Sequence, residues 1–301
     1  MSTPVAPVRT TVELPEGPLS LLSAGERGSP VVLLGGGGVD NALISWGPLL
    51  EDLAATHRVV ALDWPKQGRS RPWNGVADHA GLMEVVDAVL DHCGFERAHL
   101  VGLSQGGAVA LAQAIARPGR VERVVALAPG GVGSYAPGLH QLLWLSGRSR
   151  LLHTRVPSLF TRRRSQVAAL ARRVLFAGPV ADFDEVVSLM WEEVRQNGAG
   201  PSDWQKASLN PWGVNVDLRP HLGRVLAPTL FLQGDRDVVV SPRDTIAAMR
   251  RVPGARLRMV RGHGHWLQRQ SPGLVNALVR DFLDQHSPGA GPGVRGCESP
   301  V

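Results

Sequence analysis

Six short apolar runs, at residues 31–34, 59–62, 100–103, 124–127, 230–232 and 257–260, recur along the 301-residue chain. Each is rich in Val and Leu, nearly continuous, and bounded by Gly, Pro or charge. Strands that are apolar on both faces must be covered on both, which a parallel sheet with crossover helices achieves. Helical stretches fall between or after most of the runs, at 78–91, 105–117, 242–250 and 272–285. In the last, Leu274, Val275, Leu278, Phe282 and Leu283 mark a stripe near the 3.6-residue period. Ahead of the first run, residues 9–14 and 19–23 flank Pro15-Glu16-Gly17-Pro18 and read as an antiparallel hairpin at the sheet edge. The expected fold is therefore α/β, a mostly parallel, doubly wound sheet with an N-terminal antiparallel hairpin.

The alternation fails between residues 132 and 220, where the spacing turns mostly helical and four of the eight Trp fall within or beside it. Leu159, Val167, Leu170, Val174 and Leu175 recur roughly at i, i+3, i+4, with Arg162, Arg163, Arg164, Arg172 and Arg173 among them. The domain reading is a core of 1–131 and 221–286, a helical insertion over 132–220, and a Pro/Gly-rich tail, 287–301, expected to lack order. Net charge is +6, yet residues 131–180 alone hold eight Arg and no Asp or Glu, leaving the remainder near −2. The block has no interleaved aromatic platform and no nucleic-acid-binding signature, so nucleic acid is not expected as a partner. Two readings stay open: a solvated helix face, or a site for an anionic or carrier-linked substrate. Two cysteines, Cys93 and Cys297, build neither a disulfide framework nor a cysteine zinc site. Residues 1–16 show no basic stretch followed by an apolar run, and no run nears 18 apolar residues, so a cytoplasmic protein without a membrane span is expected.

Gly102-Leu103-Ser104-Gln105-Gly106-Gly107 carries the strongest chemical signal. An apolar strand runs into it and a helix-forming stretch follows, so Ser104 stands on a sharp strand-to-helix turn at the strand's C-terminal end. The glycines on either side remove Cβ atoms that such a turn would crowd, and the helix N-terminus favours negative charge there. A serine needs a base held by a third group before it becomes a nucleophile. His263 and His265 both follow the run at 257–260, on the edge where sites of open parallel sheets form. Asp235 and Asp237 follow the run at 230–232; Asp235, directly after Gly234, suits capping its own turn, which leaves Asp237 the better placed acid. A developing oxyanion needs fixed N–H donors. Gln105 supplies one, and the run Gly35-Gly36-Gly37-Gly38 after the first central strand supplies another, taken as Gly36. Phosphate cradling by that run lacks the Lys-Ser/Thr ending and the ribose-binding acid.

With these residues in place, the chain resembles the α/β-hydrolase superfamily from about residue 12 to 285. The stretch Asp63-Trp64-Pro65-Lys66-Gln67-Gly68-Arg69-Ser70 looks like that family's D-x-P-x-x-G-x-S turn. The resemblance implies Asp237, three residues after Gly234, as the acid, and His265 of Gly262-His263-Gly264-His265 as the base. It further implies a helical lid over 132–220, with Gly37, Trp144, Trp191 and Trp266 toward substrate, and no metal or organic cofactor. Ser, rather than Asp, at position 104 speaks against epoxide hydrolases and dehalogenases. The family's usual His-Gly before the oxyanion loop is Leu34-Gly35 here. The implied activity is a serine hydrolase cleaving a small-molecule ester, thioester, lactone or C–C bond through an acyl-enzyme. Alternatives are lyase, acyl-transfer or cofactor-free perhydrolase chemistry on the same triad, or a silent ligand-binding homologue. Spacing says nothing about oligomeric state.

Overall fold

A computed structural model describes residues 6–133, 139–149 and 161–285. The first strands, β1 (Val8–Leu14) and β2 (Gly17–Ala24), pair antiparallel with Val8 opposite Ser23. β2 pairs antiparallel with β4 (Arg58–Leu62), and β4 pairs parallel with β3 (Pro30–Leu34). From there β5 (Ala98–Leu103), β6 (Val121–Leu127), β9 (Thr229–Gly234) and β10 (Arg256–Val260) continue the sheet in parallel. The eight strands stand in the order β1-β2-β4-β3-β5-β6-β9-β10. All six apolar runs are strands of this sheet, and the N-terminal hairpin forms its edge.

Successive strand residues face opposite sides of a sheet, and the core divides accordingly. Val32, Leu34, Val60, Leu62 and Leu100 pack under α2 (His79–His92) and α3 (Gln105–Ala116). Val31, Leu33, Val59, Ala61 and Val101 pack under α1 (Ala42–Leu53) and a C-terminal helix, Pro272–Leu283. In that last helix the buried stripe is Val275, Val279, Phe282 and Leu283, whereas Leu274 is 48% exposed. The stripe is rotated from the sequence reading, because Val279 rather than Leu274 meets the core cluster.

Between β6 and β9 the chain forms α4 (Leu139–Arg148), α5 (Arg164–Leu170), α6 (Phe183–Asn197) and the short α7 (Asp203–Ala207). A two-stranded hairpin that the helical reading did not anticipate follows, β7 (Leu209–Asn210) and β8 (Gly213–Val214). The remaining elements are α8 (Pro242–Met249) after β9, then α9 (Leu267–Gln270) and α10 (Pro272–Leu283) after β10. Of the stripe expected in 159–175, Val167 is buried and Leu170 is 40% exposed, and Leu159 lies outside the described residues. The expected tail, 287–301, also lies outside them. Among the described residues no helix is long and apolar enough to cross a membrane.

Two buried carboxylates fix the loops at the sheet's C-terminal edge. Asp63, 1% exposed, accepts from the N–H groups of Ala42 and Arg69, both at 2.9 Å, and from Arg9 Nη1 at 2.8 Å. A Cβ on Gly68, whose φ is +48°, would sit 2.3 Å from that carboxyl carbon, so only glycine closes the turn. Glu193 of α6, 3% exposed, accepts from Asn41 Nδ2 at 2.8 Å and from the Gly68 N–H at 3.1 Å.

Candidate active site

Ser104 stands between β5 and α3 with φ 52° and ψ −111°, a left-handed conformation that an L-residue adopts only under strain. The packing around it explains the flanking glycines. A Cβ at Gly102 would lie 2.3 Å from the Gly106 carbonyl oxygen, and one at Gly106 would lie 2.1 Å from that of Leu34. The Ser104 N–H donates to Leu127 O at 2.9 Å, and its carbonyl accepts from Gly130 at 2.8 Å and from Ala108 at 3.0 Å. The side chain is thus held at the mouth of α3, where the helix dipole favours negative charge.

His265 and Asp237 form the second half of the site. His265 Nδ1 lies 2.8 Å from Asp237 Oδ2, and the two residues are 4% and 7% exposed. Burial raises the Asp237 carboxyl, but the hydrogen bond and charge of His265 and the N–H groups of Val240 and Val239 outweigh it and hold it below the usual carboxylate range. The alternatives have other work. His263 directs Nδ1 to Arg261 O and Nε2 to Ser271 Oγ, both at 2.7 Å. Asp235 accepts from the Gly262 N–H at 2.6 Å and so closes the histidine loop. The two loops lie against each other, since a Cβ at Gly234 would sit 2.3 Å from Gly264 O.

The sheet relates Ser104 to this pair. Its N–H meets Leu127 O just as the Ala128 N–H meets Leu232 O, each at 2.9 Å, so Ser104, Ala128 and Gln233 share one row. Two strand spacings, about 10 Å of backbone, separate Ser104 from Gln233 in that row. Asp237 lies four residues beyond Gln233, which donates to its Oδ2 at 3.0 Å. Among the described residues no hydrogen bond joins Ser104 Oγ to His265; such bonds commonly tighten only once substrate is bound.

The glycine loop departs from the sequence reading. The Gly36 N–H, expected to face an oxyanion, donates instead to Asp40 Oδ2 at 2.6 Å. Asp40 is fully buried and also accepts from Ser45 Oγ at 2.6 Å and from the Asn41 N–H at 2.8 Å. Burial pushes its carboxyl up to about 7 despite those bonds, with Glu193 adding to the rise. Gly35 O accepts from Trp64 Nε1 at 2.8 Å and from Gly106 N at 3.1 Å, and Gly38 O accepts from Gln67 Nε2 at 3.0 Å. Gln67 Nε2 also approaches Gly36 O at 3.4 Å. In a trans peptide N–H and C=O point opposite ways, so the Gly37 N–H faces away from Gln67. It and the Gln105 N–H have no partner among the described residues. Gly37 also packs on the elbow, where a Cβ would meet Gln105 Oε1 at 2.6 Å. Sequence reasoning missed Asp40; the only local signal was its place beside Asn41, the N-cap of α1.

A cavity of about 640 Å³ opens beside the acid loop, walled by Gly130, Trp204, Val214, Val216, Asp237 and Val239. Trp144, Trp191 and Trp266 do not line it. Trp144 is half-buried with the Arg148 guanidinium 4.8 Å from its ring centre, Trp191 packs on the core, and Trp266 is 4% exposed against Phe176. Arg162, Arg163, Arg164, Arg172 and Arg173 are exposed and do not line it either; Arg164 pairs with Asp184 and Arg172 covers the Phe183 ring. The solvated-face reading therefore fits the described part of the block. Among the described residues Lys206 is the cation in the cavity wall, and its Nζ lies 2.6 Å from Asp203 Oδ1. Among the described residues no cluster of His, Cys, Asp and Glu has a metal-binding arrangement.

Comparison with known proteins adds an independent line. A family model described as alpha/beta hydrolase fold matches residues 30–272. The 2-hydroxy-6-oxononadienedioate/2-hydroxy-6-oxononatrienedioate hydrolase of Comamonas testosteroni is 30% identical over 277 residues, covering 88% of this chain and 91% of that protein. Two solved structures share the fold. The 2-hydroxy-6-oxo-6-phenylhexa-2,4-dienoate hydrolase of Rhodococcus sp. strain RHA1 superposes with a TM-score of 0.74 at 20% identity, over 93% of this chain and 99% of that one. The enol-lactonase of Burkholderia xenovorans LB400 gives 0.71 at 22%, over 92% and 100%.

Proposed function

The chain belongs to the alpha/beta hydrolase fold family, and from that premise we propose that it is a serine hydrolase acting on a small-molecule ester, lactone or carbonyl-activated C–C bond. The observation that carries this reading is the buried 2.8 Å Asp237–His265 pair on the same sheet edge that holds Ser104 at φ 52°. Ser104 Oγ attacks the substrate carbonyl while His265 Nε2 takes its proton. The tetrahedral oxyanion is met by the N–H groups of Gln105 and Gly37. Collapse expels the leaving group, which takes the proton back from His265, and water then releases the acyl group from Ser104 by the reverse relay. Asp237 keeps the imidazole in the tautomer whose Nε2 is free to accept.

The relatives hydrolyse dienoates and a lactone by their names, which supports C–C or lactone cleavage alongside ester cleavage. In this reading residues 1–131 and 221–286 form the catalytic core and 132–220 a lid, with the apolar cavity beneath it taking the acyl or aryl group. The test is a fluorophosphonate probe with p-nitrophenyl acetate and butyrate as substrates. Labelling at Ser104, with turnover lost in Ser104→Ala, is the expected result. A wild-type chain that neither labels nor turns over any ester, lactone or dienoate overturns the reading in favour of a ligand-binding homologue.

A further inference from the structure

Resting on the serine-hydrolase reading, we infer that Asp40 is a positioning residue for the oxyanion loop: its buried carboxyl clamps the Gly36 N–H so that the following peptide presents the Gly37 N–H to the reacting oxygen. Asp40 touches no substrate in this arrangement and acts through the backbone. Its two oxygens divide the work. Oδ2 takes Gly36 N–H and Ser45 Oγ, each at 2.6 Å, while Oδ1 takes Asn41 N–H at 2.8 Å.

Helix capping alone does not account for this. The N-cap of α1 is already served by Asn41 Oδ1, which accepts from Ile44 N at 3.0 Å. The short bond to Gly36 reaches back four residues, out of the helix and into the loop against the elbow. A Cβ at Gly36 would lie 3.0 Å from Oδ2 and one at Gly35 3.4 Å from it, so the carboxyl is fitted to bare glycine backbone. The loop's other flank is held by Trp64 and Gln67 through Gly35 O and Gly38 O. Among the described residues these clamps leave the N–H groups of Gly37, Gly38 and Val39 without an acceptor, and Gly37 is the one packed on the elbow, where a Cβ would meet Gln105 Oε1 at 2.6 Å.

A full negative charge so close to a developing oxyanion would oppose it. Burial and Glu193 place the Asp40 carboxyl near neutrality, at about 7, which lessens that opposition. A proton on Oδ2 has an acceptor in Ser45 Oγ at 2.6 Å, so the Gly36 and Asn41 N–H bonds persist in either state. Ser45 is 1% exposed and sits on the first turn of α1.

The experiment uses the full chain with three variants, Asp40→Ala, Asp40→Asn and Ser45→Ala. Substrates are p-nitrophenyl esters, and the probe is an aryl trifluoromethyl ketone, whose hemiketal with serine bears an oxyanion, compared with the matching unreactive alcohol. Losing one oxyanion donor outright costs about 10²–10³ in kcat; a donor left present but unaimed should cost about 10–100-fold. Asp40→Ala is therefore expected to lower kcat by that factor with KM changed less than about threefold, and to weaken the ketone in step with kcat while the alcohol is unaffected. Asp40→Asn, which keeps an oxygen for Gly36 but places an NH2 among donors, should lose about fivefold, and Ser45→Ala less than that. A merely structural Asp40 would change melting temperature and leave the ketone-to-alcohol ratio alone. If Asp40→Ala does not fold, Asp40→Asn decides, and an unchanged kcat and ketone ratio overturns the inference. A wild type that resists phosphonylation at Ser104 overturns the hydrolase reading and this inference together. An active, labelled wild type with unimpaired Asp40→Ala overturns this inference alone.

Discussion

Two buried carboxylates, Asp40 and Asp237, illustrate how environment sets the chemistry of one residue type. Asp237 is held below the ordinary carboxylate range, because the His265 contact and two N–H donors outweigh its burial. Asp40 accepts three hydrogen bonds and still rises to about 7, because its burial is complete and Glu193 lies nearby. Their contributions to stability therefore run in opposite directions with pH. A depressed carboxyl stabilises the fold above its unfolded value near 3.8, and loses that contribution as pH falls through the folded value. A raised carboxyl costs nothing below 3.8 and progressively destabilises the fold as pH climbs from there toward 7. When both states of Asp40 are ionised, the cost is on the order of 4 kcal/mol. Chemical denaturation from pH 3.5 to 8.5 should show Asp40→Asn gaining on the wild type as pH rises to about 7, then running parallel. Asp237→Asn should trail the wild type by a constant margin above about pH 4, and the gap should close only as pH falls below the ordinary value of 3.8. Parallel curves for Asp40→Asn throughout would mean that its carboxyl is not raised.

At the level of elements, α6 and α7 fasten the insertion to the core beside the elbow. Glu193 of α6 bonds Asn41 and the Gly68 N–H, with Arg71 Nη2 3.6 Å away. In α7, Trp204 Nε1 donates to His79 Nδ1 at 2.9 Å, and Ser202 Oγ, at its N-cap, meets Gln105 Oε1 at 2.6 Å. Glu193→Ala strands several buried donors, each costing about 1–3 kcal/mol. It is expected to lose about 2–4 kcal/mol in urea melts and to become more sensitive to proteases within 161–215, with Ser104 still labelled. Wild-type stability would show that water satisfies those donors. These fastenings were illegible in the sequence, since nothing in the spacing of α6 distinguishes Glu193 from its exposed neighbour Glu192. The strands were legible because burial on both faces leaves a continuous apolar run. The acid and histidine loops were legible because each follows such a run directly. Gly36 misled because a glycine run shows that backbone approaches something closely without showing which N–H is left over. That depended on Asp40, four residues on, whose carboxyl turns back onto the Gly36 N–H in a way that spacing does not show.

For the molecule as a whole, the separation between a rigid edge and a variable roof decides what can be read from chemistry and what from shape. Ser104 and Asp237 follow strands whose residues are buried, and His265 is itself buried, whereas the cavity beside Asp237 is walled in part by the segment between β6 and β9, through Trp204, Val214 and Val216. On the proposed reading, reaction type belongs to the sheet edge and selectivity to the cavity wall. The cavity's volume of about 640 Å³ lies in the range of small-molecule sites that enclose most of their ligand. Val214 sits in the β7–β8 hairpin, lines the cavity and is half-buried. Val214→Trp should fill part of the cavity from the hairpin side. An acetyl ester, too short to use the cavity, should keep its kcat/KM within about twofold. Longer acyl or aryl esters should lose about 10-fold or more, since each buried methylene that is displaced forfeits roughly 0.8 kcal/mol. The comparison across chain length separates this from damage to the fold, which would lower all substrates alike. If long esters keep their kcat/KM as the acetyl ester does, the cavity is not where the acyl group goes, and its pocket must be sought on the other side of the elbow.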